Sequence, residues 1–182
     1  MTSNQTARLI GAIFGLVFVQ ANAGALPPAA AVPLRVLGIA AFIGLFIALR
    51  RARVPEGAAA GGTTPRTFGR GYRYVVAAEV LLLAAGLFVI ARLLHSPQAA
   101  VGWIALVVGL HFFGLAAVWR MASVRLPAAA MSACGAAGLA LAACGAPPAV
   151  IAVVAGIVPG AVLFGSVWWS LRAGRPQAAA RA

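Results

Sequence analysis

The chain has 182 residues, 63% of them hydrophobic and only 9% charged, and its 14 basic residues are all arginine against two acids, for a formal net charge of +12. Soluble domains are about one-quarter charged, so an ordinary soluble fold is excluded and lipid must solvate most of the surface. Nucleic-acid binding is also excluded, because the arginines are spread over the junctions between apolar runs and do not gather on one polar face.

A helix needs about 20 apolar residues to cross a ~30 Å hydrocarbon core. Runs of that kind predict six spans: Arg8–Ala25, Ala31–Leu49, Tyr74–Leu94, Val101–Trp119, Pro127–Cys144 and Pro148–Leu171. The fold class that follows is an all-α membrane bundle, one domain over residues 1–182. The last two spans come from one uncharged stretch that would reach ~69 Å as a single helix, so it must turn back at Pro147-Pro148. Pro27-Pro28 with Pro33, and Ser96-Pro97, mark the other two tight turns.

The first span carries a competing reading. Arg8, the apolar run Leu9–Val19 and Ala21-Asn22-Ala23 imitate a signal peptide with an A-x-A cleavage site. A retained helix is preferred, because Gly11-xxx-Gly15 suits helix packing and the hairpin it opens has the internal spacing of the next one. Gly15-Leu16, Gly86-Leu87 and Gly138-Leu139 recur in the first helices of three successive hairpins. Val36–Ile39, Val107–Leu110 and Val154–Ile157 recur in the second helices, which suggests a parallel three-hairpin repeat.

Arginine placement orients the spans. One side receives Arg8, Arg50, Arg51, Arg53, Arg66, Arg70, Arg73, Arg120, Arg125, Arg172, Arg175 and Arg181, and the other only Arg35 and Arg92. Both termini are therefore expected in the cytoplasm. Arginine without lysine, in an alanine-rich chain, suggests a high-GC bacterial genome and hence a multi-pass protein of the inner membrane. Val54–Phe68 reads as a flexible cytoplasmic linker and residues 173–182 as a disordered tail. The expected partners are the bilayer and anionic lipid headgroups at the inner face. A homo-oligomer or a membrane-protein partner stays open.

Glu79 is the sharpest candidate residue. It lies ~9 Å from the inner end of the third span, where a carboxyl group on a lone helix costs up to ~2.5–3.5 kcal/mol. Its helical neighbours Val75, Val76, Leu82 and Leu83 offer no countercharge, so a partner must come from another span. His111 lies ~12 Å from the same face in the fourth span, which a short turn joins to the third. The depths predict a Glu79–His111 pair, read either as a proton or ligand site or as polar glue between helices.

A second set lies near the outer face. Gln20, Asn22, Arg35 and Arg92 could line a vestibule for a polar or anionic ligand, unless Arg35 simply snorkels outward. Pro159 predicts a kink in the last span. Gly11/Gly15 and Gly156/Gly160 predict close helix approach. Trp103, Trp119, Trp168 and Trp169 fall near span ends, as an aromatic belt would. His95 reads as a turn residue. Cys134 and Cys144 lie ~15 Å apart along one helix and read as small packing residues. No phosphate loop, HExxH, CxxC or nucleophile elbow occurs, so no catalytic residue, cofactor or metal is expected.

Val108-Gly109-Leu110-His111-Phe112-Phe113-Gly114-Leu115-Ala116 resembles the signature of a family of uncharacterised small bacterial multi-span membrane proteins. Its mark is a Gly-x-His-hydrophobic run, usually followed by proline and Leu-Ala; here Gly114 stands where that proline would be. Arg73-Tyr74 to Glu79 fits the same pattern. The resemblance covers two of six spans, carries no established activity, and directs attention to His111 and Glu79. Two functions are expected from these readings: a small permease-like transporter, proton-linked through that pair, or a non-catalytic scaffold or subunit of a larger membrane complex.

Overall fold

A computed structural model describes residues 3–51, 70–118 and 124–173. The expected linker Val54–Phe68, with Glu56, and the tail beyond Ala173 lie outside the described residues, as does Trp119. Among the described residues there is no strand. The helices are α1 (Ser3–Asn22), α2 (Pro28–Arg51), α3 (Arg70–Arg92), α4 (Ala99–Val118), α5 (Arg125–Ala143), α6 (Pro148–Ala152) and α7 (Val158–Ala173). A π-helical turn, Val153–Ile157, joins α6 and α7 into one rod. Six helical segments are long and apolar enough to span a membrane: Ala7–Ala25, Pro28–Arg51, Gly71–Arg92, Ala99–Val118, Arg125–Ala143 and Pro148–Arg172. Helix is the expected answer for such runs, because each backbone group in hydrocarbon must be satisfied within its own segment.

The turns are chemically specific. After α5, Gly145 adopts φ of 70°, its N–H donates to Ala142 and that of Ala146 to Leu141. This is a Schellman cap, which favours glycine at its left-handed position. Pro148 then opens α6 at a position where a missing N–H costs nothing. Pro33 does not belong to the turn where the sequence placed it, since α2 begins at Pro28 and runs through it. So near the helix start, proline sacrifices a single bond. His95 occupies a left-handed φ of 47° after α3, a conformation in which histidine is among the enriched non-glycine residues. That geometry accounts for His95 as a turn former.

α1 packs on α2, α3 on α4, and α5 on the α6–α7 rod, but the closest seams, α4–α5 and α1–α7, join different pairs. α4 and α5 are the most intimate pair. A Cβ on Gly135 would strike the backbone of Leu106, one on Gly102 that of Leu139, and one on Gly109 that of Ser132. α1 meets α7 in the same manner, where a Cβ on Gly15 would sit 3.1 Å from the Gly160 carbonyl. Small residues at these seams let the backbones approach closely, a packing mode suited to helices that span a membrane. Three apolar clusters follow. Ala12, Leu45, Leu49, Val167 and Leu171 join α1, α2 and α7 at the arginine-rich end. Phe18, Ala105, Val108, Met131 and Leu163 fill the middle of α1, α4, α5 and α7. Ile90, Ala99, Ala142 and Ile151 close the opposite end.

Pro159 is fully buried, and the predicted kink takes the form of the π turn before it. A proline ring clashes with the carbonyl four residues earlier, here Ala155, and widening the turn relieves that clash. Val158 N–H reaches back to Val153. The Val154 carbonyl thereby loses Val158 as a donor, and Pro159 has none to offer.

Candidate functional site

Glu79 and His111 meet. The carboxylate Oε2 lies 3.0 Å from imidazole Nδ1, with side-chain exposures of 18% and 13%. The helices that carry them are aligned by a run of opposed residues: Gly71 faces Val118, Val75 faces Gly114, and Gly86 faces Trp103. Rising numbers on α3 match falling numbers on α4, which fixes the antiparallel register. The pair sits between two close-approach points. Toward the arginine-rich end, a Cβ on Gly114 would touch Val75 at 2.9 Å. Toward the other end, the Trp103 indole lies on the bare backbone of Gly86 and donates Nε1–H to the Leu82 carbonyl at 3.0 Å. Both features draw α3 onto α4 closely enough for the two polar groups to touch.

The contact is close but not an aligned hydrogen bond. Nδ1 of His111 is buried and no donor–acceptor geometry satisfies it, despite the 3.0 Å approach. The imidazole packs edge-on against Phe112, centroids 6.0 Å apart. Neither side chain is fully buried, so the pair is tight yet unsealed.

The expected vestibule residues Gln20, Asn22 and Arg35 make two separate sets of contacts. Gln20 Nε2 donates to the Arg35 carbonyl at 2.9 Å, admitted by Gly38. The Arg35 guanidinium lies against Gly24, in the short 3-10 turn Ala23–Ala25 beyond α1, as an outward-snorkelling side chain would. Asn22 turns elsewhere: Nδ2 donates to the Phe18 carbonyl at 2.8 Å, and its carboxamide rests on Gly156 in the π turn. Arg92 ends α3, whose packing partner is α4. Gln20 and Arg35 meet, and Asn22 turns to the π turn.

Two residues matter that sequence reasoning passed over. Trp103, read as part of an aromatic belt, is a clamp between α3 and α4. Ser132 presents a buried, unpartnered hydroxyl against Gly109. Residues 109 and 111 stand about 200° apart around α4, so Ser132 and His111 occupy opposite sides of that helix and form no triad. Cys134 and Cys144 are unpaired, and among the described residues no three His, Cys, Asp or Glu side chains gather as metal ligands would. No protein-family model, curated protein or solved structure matches the chain.

Proposed function

We propose that the protein is a small permease-like transporter of the bacterial inner membrane, with Glu79 and His111 as its proton-linked site. The observation that carries this reading is the geometry of the pair. Two groups retained only to fasten helices should be aligned and sealed, because an unsatisfied polar group in hydrocarbon is costly. This pair is neither: Nδ1 lacks an aligned partner and both side chains keep some exposure. Ionisable residues within spans mark proton and substrate paths by default.

The test is proton movement in reconstituted vesicles under an imposed membrane potential, read by an internal pH dye with a panel of small solutes. Wild type should exceed protein-free vesicles for at least one solute, and Glu79→Gln should fall to the protein-free rate. Equal rates in wild type and Glu79→Gln would refute the assignment.

A second reading, a scaffold or subunit of a larger complex, is favoured by one observation. Only 6% of the third span is buried within the chain, against 44% of the sixth. A helix so exposed has room for another protein's helix as well as for lipid.

A further inference from the structure

α3 is anchored at one end and loosely held at the other. Among its described side chains the one buried residue is Ile90, which joins Ala99, Ala142 and Ile151 of α4, α5 and α6 in one cluster. The Trp103 bond to the Leu82 carbonyl, over Gly86, lies on that same side of Glu79. On the other side, toward the arginine-rich end, none of residues 71–78 is buried. There α3 meets α4 at Gly71, where an added Cβ would lie an ordinary 3.5 Å from Val118, and at Val75, whose side chain lies against Gly114. Among the described helices, α3 packs extensively on α4 alone.

Gly71, Val75, Glu79, Leu82 and Gly86 recur every three or four residues and form one stripe along α3. Glu79 is the middle of that stripe, so the Glu79–His111 pair divides the seam into two unlike halves. Beyond the pair, a directional hydrogen bond and a buried isoleucine fix α3. Before it, valine and glycine meet by dispersion alone, which fades steeply with separation. The polar contact between the halves is itself unaligned, and Nδ1 of His111 is buried without a hydrogen bond. Water that reached Nδ1 would satisfy it, so parting the seam here brings a gain that an apolar seam lacks.

We propose that α3 is a gate over the Glu79–His111 site. Its arginine-rich half parts from α4 about a pivot at Trp103 and Gly86, and admits water and protons to the pair from that end of the bundle. α4 stays in place, because its seam with α5 is the most intimate in the fold. The purpose of the gate rests on the reading of the pair as a proton site, whereas its motion is measurable without any transport.

The experiment places pairs of spin labels in the full-length chain, with Cys134→Ala and Cys144→Ala, in lipid nanodiscs. Tyr74→Cys/Leu126→Cys sets the arginine-rich end of α3 against α5, and Phe88→Cys/Val150→Cys sets its other end against α6; all four side chains are exposed. Dipolar spectroscopy should find a closed and a longer distance for the first pair and a single distance for the second. Glu79→Leu/His111→Leu, which makes the seam apolar, should return the first pair to the closed distance. One narrow distance at both ends would overturn the gate, as would equal broadening at both or an undiminished open population in the leucine variant. The contrast between the two ends of the otherwise native chain decides the question even if that variant does not fold. In vesicles, Gly71→Cys/Val118→Cys joined by a short thiol cross-linker should lose proton movement and regain it on reduction, and movement through the bridged protein would also overturn the gate. Should no vesicle move protons, the transporter reading falls and the label distances alone judge the gate.

Discussion

The indole nitrogen of Trp103 donates to the main-chain carbonyl of Leu82 at 3.0 Å, directly over the backbone of Gly86. The bond exists because residue 86 has no side chain, and it pins α3 to α4 just beyond Glu79. A methyl group at that position would land inside the indole ring. Gly86→Ala should therefore swing Trp103 out, lose the Leu82 bond and lower stability by about 1–3 kcal/mol, the usual cost of overpacking. Thermal unfolding in detergent together with the tryptophan emission maximum checks it. An unmoved emission maximum and midpoint would mean the clamp is ornamental.

Glycine substitutions at two other sites should separate sharply. At Gly135 a Cβ would strike the main chain of Leu106, which cannot rotate aside as a side chain can, whereas at Gly44 it meets nothing within 4 Å. Gly135→Ala should destabilise by about 1–3 kcal/mol or more. Gly44→Ala should be neutral or stabilising by up to ~1 kcal/mol through helix propensity. Midpoints of the two variants, measured side by side, decide the matter.

Pro159→Ala reverses an ordinary expectation. Removing proline from a helix interior normally helps by about 3 kcal/mol. Here alanine would restore an N–H able to bond Ala155 and close the π turn, rotating α6 relative to α7. Ile151 would leave its cluster with Ile90, Ala99 and Ala142, and Asn22 its seat on Gly156. We expect a net loss of about 1–3 kcal/mol, with slower amide exchange across residues 153–158. A more stable variant would show that the turn is a tolerated defect.

The six apolar segments were legible because lipid thickness sets helix length, and Pro147-Pro148 could be placed by length alone. The Glu79–His111 contact followed from depth arithmetic on two helices joined by a short turn. Gly15 and Gly160 were legible as packing residues, though not as each other's partners. What stayed hidden depended on helix rotation. Trp103 near a span end looks like a belt residue until α3 presents Gly86 to it, and Asn22 looks like a vestibule residue until Gly156 receives it. The apolar faces vary too little around these helices for the sequence to show which side meets a neighbour, so the α4–α5 and α1–α7 seams could not be foreseen. Nor could the π turn, because a proline announces a distortion and not its form.

The central claim is that Glu79 and His111 are kept for protons and not for folding. A double-mutant cycle tests it most directly: thermal stability of wild type, Glu79→Gln, His111→Ala and the double variant in detergent. The account predicts small losses and a coupling energy no larger than the ~0.6 kcal/mol typical of interhelical polar contacts in membranes. Large losses that are strongly coupled, on the order of 2 kcal/mol or more, would make the pair a structural lock and contradict the account.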